Sequence, residues 1–325
     1  LWLAGHFNIA YSTWNRSGFN VCQWRYLNGE DLFLSNQIII DSAALHRQRV
    51  RAVRLNDKRA GADFLVQHAA DDLSERLSAI TRAFDIVVDL NSAGSAVTDR
   101  LAKSGKYDRI IQCRTQAFQQ PRSDLICHDE ILPFASGSVD LIVSILNLQF
   151  VNDLPGILVQ IRRALKPDGL FMGAVIGGSS LRELRQAFLE AESEICGAVR
   201  ARVLPFVDVR AAGSLLQRAG FALPVSDSDV WSVRYDSAFD LMRDLRVMGA
   251  VNCLNERNKA FMRRDVLMRA VEIYAQHFSD VDGRVRATFE MISFAGWAPH
   301  ESQQKPLKPG SAQINLADAL RSRDR

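Results

Sequence analysis

One junction limits what this chain can fold into. Phe84-Asp-Ile-Val-Val-Asp-Leu90 is a short, mostly apolar run, as expected of a central parallel strand covered on both faces. A turn of small residues follows, Asn91-Ser-Ala-Gly-Ser95, and then a helix of roughly Ala96 to Ser104. In an α/β sheet the backbone between such a strand and helix is where a nucleotide-like ligand sits. Glycine is the usual residue there, because it permits positive φ and lets a ligand approach the main chain. Here only Gly94 remains. Asn91 tolerates the left-handed conformation better than most residues, so the turn can still form. Ala93 and Ser95 place a Cβ where the ligand would pass.

The same pattern repeats along the chain. A helical reading covers about Ser42 to Thr81, with Leu65, Val66, Ala69, Leu73 and Leu77 at helical spacing. Strands are expected at Arg109–Cys113, Asp124–Cys127, Val139–Leu146 and Leu170–Ile176. Pro155–Leu165 reads as a helix stopped by Lys166-Pro-Asp-Gly169, and Gly177-Gly178 opens a long helix to about Ile195. Val209–Ala219 is helical, Trp231–Tyr235 is a further strand, and helices follow at Ser237–Met248 and Asn258–His277. Arg284–Phe294 alternates as the last strand. The fold class is therefore α/β, a doubly wound, mostly parallel seven-stranded sheet, with a helical insertion of about 236–280 between the last two strands. Residues 37–295 form the domain, and 296–325, rich in Gln, Lys, Pro and Ser, form a surface tail. Residues 1–36 read as an extension, either disordered or non-native to the domain, or an aromatic arm.

With 325 residues, 47% of them hydrophobic, the chain can bury a large core. Its formal charge of +3 argues against nucleic acid as the main partner. Five cysteines without CxxC spacing point away from a metal or disulfide framework and towards a reducing compartment. No apolar run reaches the roughly 18 residues of a spanning helix.

Three segments together carry a resemblance. The first-strand turn, Leu132-Pro-Phe134 followed by Val139-Asp-Leu-Ile-Val-Ser144, and Leu165-Lys-Pro-Asp-Gly169 resemble a class I S-adenosylmethionine-dependent methyltransferase of Rossmann-like fold. Within that class the chain resembles the methyltransferase-like complex I assembly factors (arginine hydroxylases) and their bacterial counterparts. That narrower likeness rests on Val151-Asn-Asp-Leu-Pro155, Glu183-Leu-Arg185, Ala219-Gly-Phe-Ala-Leu-Pro224, Leu241-Met-Arg-Asp-Leu-Arg246, Gly296-Trp-Ala-Pro-His-Glu-Ser-Gln303 and Lys308-Pro-Gly-Ser-Ala312. The malonyl-carrier-protein methyltransferases of biotin synthesis are more distant kin. The resemblance implies a protein partner, a subunit of the complex I peripheral arm, and hydroxylation of one of its arginines. It implies the cytoplasm of a bacterium, with peripheral attachment to the inner membrane as an option, or the mitochondrial matrix.

It also implies a cofactor site. Asp89 would order the turn near the amino-acid end of S-adenosylmethionine, with Asn91, Ala93, Gly94 and Ser95 as the cradle. Arg114 stands where the class has an acid that accepts from both ribose hydroxyls. Arginine has only donors, and losing a charge-assisted acceptor costs about 1.5–3 kcal/mol, at least tenfold in affinity. Arg114 reads as a surface residue without a ligand, or as a group for a phosphorylated ribose. Asp129, beside His128 and Glu130, is the candidate for the adenine amino group; His128-x-Glu130 also resembles part of an iron facial triad, although no metal site is expected. Ser144 and Asn147 follow the fourth strand towards the same cleft, with Gln149 and Phe150. Tyr235 and His300 are candidates for the substrate side, and Arg243 and Arg246 read as salt-bridged surface. No catalytic residue stands out. Three activities fit: arginine hydroxylation on a partner protein, methyl transfer to a small molecule or carrier protein, and cofactor-free assembly chaperoning.

Overall fold

A computed structural model describes residues 38–56, 63–115 and 124–304. The extension at 1–36 and the tail from 305, with Lys308-Pro-Gly-Ser-Ala312, lie outside the described residues. The sheet has seven strands in the order β3-β2-β1-β4-β5-β7-β6. In chain order these are β1 (Ile86–Leu90), β2 (Arg109–Arg114), β3 (Leu125–Ile126), β4 (Val139–Ile145), β5 (Leu165–Ile176), β6 (Ala222–Tyr235) and β7 (Val285–Trp297). The first five run parallel, and β7 lies antiparallel between β5 and β6. Chain order reverses direction between β1 and β4, so the loops after those strands diverge and leave a crevice at their carboxyl ends.

Alternation along the strands divides the core into layers. Val87, Leu141, Val143 and Met172 face α2 (Phe64–Ser78) and α3 (Ala96–Ser104). Val88, Leu90, Ile142 and Phe171 face α4 (Leu154–Ala164) and α6 (Val209–Arg218). A third cluster joins α5 (Arg182–Cys196) to the inserted α7 (Ala238–Val247) and α8 (Arg264–Phe278) over the first residues of β7. α1 (Ser42–Asn56) stands apart from these layers and packs on α7. Asp41 starts it: its Oδ1 accepts from Ala44 N–H at 2.9 Å, and Arg257 pairs with it at 2.9 Å. The Ala44 N–H holds the Asp41 carboxyl below its ordinary range, aided by Arg257 against the cost of burial.

Six details differ from the sequence reading. The helix expected over Ser42–Thr81 is two, because α1 packs on α7 while α2 packs on α3. Lys166-Pro-Asp-Gly169 does not stop before the strand but bulges within it: the register jumps from Val139↔Leu165 to Leu141↔Leu170, with Asp168 at φ 62°. The next helix begins at Arg182 rather than Gly177-Gly178, after left-handed Leu181. Likewise α8 begins at Arg264 rather than Asn258. The strand expected at Trp231–Tyr235 begins at Ala222; it is an edge strand, half exposed, and Ser226-Asp-Ser-Asp229 disguised it. Gly296 and Trp297 belong to β7, not to the tail, and a Cβ on Gly296 would meet Phe221 at 2.8 Å.

Phe171 is fully buried between Phe221 and Phe294, with ring centroids 5.7 Å from each. Phe171→Ala is expected to cost about 3–5 kcal/mol through the cavity it leaves. Urea unfolding checks this: the midpoint should fall with an unchanged slope, and a loss under about 1 kcal/mol would contradict this packing.

Candidate functional site

The turn after β1 forms as its residue types allow. Asn91 adopts φ 56° and Gly94 φ 68°, the two positions that demand left-handed backbone. Asn91 N–H donates to Cys113 O at 2.8 Å, and the Ser92 hydroxyl accepts from Ile145 N–H at 3.1 Å. The turn is thereby tied to β2 on one side and β4 on the other.

Arg114 is not a surface residue. It is 3% exposed, folded back under the turn. Its Nη2 donates to Asp89 Oδ2 at 2.6 Å and to Gly94 O at 3.2 Å, and its Nη1 to Asp89 O at 2.9 Å and Cys113 O at 3.2 Å. Asp89 is fully buried, and its Oδ2 also accepts from Thr98 at 2.9 Å. Register explains the meeting: Asp89 lies opposite Gln112, so Asp89 and Arg114 point to one face of adjacent strands. The acid expected near the ligand and the cation that replaces the second acid thus pair through Asp89 Oδ2, while Asp89 Oδ1 stays buried without a hydrogen-bond partner.

A second arginine closes the far side. Arg49, on the inner face of α1 and 4% exposed, donates from Nη1 to both Asp129 oxygens (3.2 and 3.0 Å) and from Nη2 to Asn147 Oδ1 at 2.5 Å. Its guanidinium lies 5.4 Å from the Phe150 ring centroid. Asn91 Nδ2 reaches the same Asp129 oxygen at 3.4 Å. Asp129, the candidate for an adenine amino group, is therefore gathered with Asn91, Asn147 and Phe150 around a side chain that the sequence reading missed. The signal was available: Leu45, Arg49 and Ala52 recur at helical spacing, which puts an arginine on a buried face.

The remaining candidates scatter. Glu130 braces its loop, accepting from Asn152 N–H at 2.8 Å, and its N–H donates to His128 Nδ1 at 3.1 Å. Ser144 follows Val143, the register partner of Asp89, and so faces the opposite layer. Tyr235 sits in the core beneath α7 and α8. His300 lies at the other end of the sheet from the crevice, where Ala298 N–H donates to Gly169 O and Gln303 Nε2 to Asp168 Oδ1 at 2.9 Å. Arg243 pairs with Asp240. Cys113 and Cys127 lie buried below Asn91; a hydrogen bond donated to Cys127, with burial, pushes the Cys113 thiol up.

A cleft of about 600 Å³ opens beside the turn. Ala93, Gly94 and Ser95 form one wall, Gln149 and Phe150 a second, Ala52 and Val53 of α1 a third, with Leu146 and Ile176 at the strand ends. Arg114, Asp129 and Glu130 do not line it. The division decides the fit of S-adenosylmethionine. Its ribose needs acceptors after the second strand, and a guanidinium with only donors, already bonded, stands there. Asp129 is engaged by Arg49. The residues present do not fit the nucleoside half of that cofactor; the open space lies beside Ala93, Gly94 and Ser95.

Residues 107–173 match the family model of a methyltransferase domain. The mitochondrial arginine-hydroxylase NDUFAF5 of Danio rerio is 34% identical over 288 residues, covering 86% of this chain and 89% of that protein. Its Homo sapiens counterpart is 36% identical over 264 residues, covering 79% and 76%. A malonyl-[acyl-carrier protein] O-methyltransferase of a Methylovorus species is 30% identical over 278 residues, covering 80% and 90%.

Removing one partner of a buried ion pair leaves an uncompensated charge, so Arg114→Met is expected to cost about 3–5 kcal/mol. Arg114→Met combined with Asp89→Asn should recover part of that loss. Denaturation of the two single variants and the double variant measures the coupling; additive losses would show that the pair does not act as a unit.

Proposed function

The chain belongs to the arginine-hydroxylase NDUFAF5 family of methyltransferase-fold proteins, and on that premise we propose that it assists assembly of respiratory complex I by acting on an arginine of a peripheral-arm subunit. One observation carries this reading over methyl transfer. The nucleoside side of the site is closed by Arg114 and Arg49, while the cleft beside Ala93–Ser95 stays open to a side chain from another protein. Gln149 and Phe150, on the cleft wall, are the residues that would meet that side chain. Asp89, Asn91 and Arg114 then act as structure: they hold the turn, and the turn holds the wall. No helix of the described residues is long and apolar enough to cross a membrane. The compartment that goes with this reading is the bacterial cytoplasm, at the inner membrane where the complex is built, or the mitochondrial matrix.

A second reading, S-adenosylmethionine-dependent methylation of a carrier protein, draws support from the malonyl-carrier-protein methyltransferase relative. It requires the cofactor to displace Arg114 from Asp89, or to bind without a ribose acceptor.

Two measurements separate the readings. Mass spectrometry of the partner subunit from cells with and without this gene should show an arginine that loses one oxygen atom when the gene is deleted; an unchanged arginine removes the hydroxylation reading. Calorimetry with S-adenosylmethionine is expected to give no heat of binding up to about millimolar ligand, the affinity regime of only a few kcal/mol. Micromolar binding would restore the methyltransferase reading.

A further inference from the structure

α1 has two faces with different tasks. Ala52 and Val53 line the cleft, and Arg49 reaches Asp129 beneath it. On the outer face Arg47, Arg51 and Arg54 recur four and three residues apart, all exposed. The helix contains no acidic residue over its whole length, Ser42–Asn56. Among the described residues none of the three makes an ion pair; Arg47 acts on Asp41 only at longer range. Some surface arginines are paired, Arg76 with Asp72 and Asp227, Arg269 with Glu194 and Glu272, Arg284 with Asp236, whereas exposed Arg109, Arg210, Arg218, Arg246 and Arg264 also make no ion pair among the described residues. What sets α1 apart is that three such arginines share one helix face beside the cleft.

We infer that this stripe is a docking rail for an acidic segment of the protein whose side chain enters the cleft. The inference rests on the partner-protein reading above and adds the chemistry of the segment that flanks the target residue. Three exposed guanidinium groups in a row, with no acid of their own, complement carboxylates presented by an extended or helical chain. A membrane surface fits less well. An interfacial helix needs a free apolar face, and the apolar face of α1 (Ala44, Leu45, Ala52) is already buried against the domain. Nucleic acid fits less well too, because the stripe is short, carries no aromatic residue for stacking, and belongs to a chain of net charge +3.

The test uses the full chain and needs no turnover. A fluorescently labelled glutamate-rich peptide is titrated by anisotropy against wild type and against the triple variant Arg47→Glu, Arg51→Glu, Arg54→Glu, with circular dichroism to confirm that both are folded. Affinity is expected to fall by about tenfold or more, since three rim charges of modest individual worth act together. The milder triple change of the same residues to Gln should give an intermediate loss. A lysine-rich peptide of equal length should prefer the charge-reversed variant. Unchanged affinity for the acidic peptide in both triple variants would overturn the inference. So would tighter, stripe-dependent binding of phosphatidylglycerol vesicles or duplex DNA by wild type. An unmodified arginine in the partner subunit would remove the catalytic reading and leave this result standing, so the two failures are distinguishable.

Discussion

The ion pair between Arg114 and Asp89 sets the character of the site. Both groups are nearly or fully buried at the carboxyl ends of adjacent parallel strands. Burying two charges costs several kcal/mol, and their attraction returns that cost only when further hydrogen bonds satisfy the remaining atoms. Arg114 meets the requirement on its side with three backbone carbonyls, while on the acid's side Thr98 reaches Asp89 Oδ2 and Oδ1 has no partner. One of them is Gly94 O, so the pair reaches past its own strands and fixes the loop that forms the cleft wall. The same atoms that steady the loop occupy the ground where a sugar would lie.

Arg49 extends the principle across the site. It comes from a helix far away in the sequence and draws Asp129, Asn147 and Phe150 together. Two arginines, one from below and one from outside, thus take up the carboxylates that a nucleoside would otherwise address. What stays open is bounded by small residues of the turn and by Gln149 and Phe150.

Much of the architecture was legible because strands buried on both faces must be apolar, and Phe84–Leu90 and Val139–Leu146 are. The left-handed Asn91 was legible for an equally local reason, the short amide side chain that tolerates positive φ. β6 was only half legible, since an edge strand with one wet face alternates in polar residues and mimics a loop. The fate of Arg114 was not legible at all. Its direction depends on where Asp89 sits across a strand pair, and a long flexible side chain can as well reach solvent as fold inward. Arg49 was hidden similarly, although its place among Leu45 and Ala52 marked a buried face. The His300 segment shows the limit of reasoning by likeness: Gln303 clasps Asp168 at the far end of the sheet, so a recognisable motif need not lie near the chemistry.

The position of β7 has a consequence for how the chain is made. Among the described residues it is the last strand in sequence, yet it lies between β5 and β6 and supplies hydrogen bonds to both. As the polypeptide leaves the ribosome, residues 165–176 and 222–235 are complete long before their common neighbour arrives. Each then exposes a bare row of amides and carbonyls, the kind of surface that invites stray pairing. Translation that stalls ahead of Val285 would leave a sheet with a missing plank rather than a shorter domain. Premature termination ahead of Trp297 should therefore be as damaging to this molecule as a lesion at its centre.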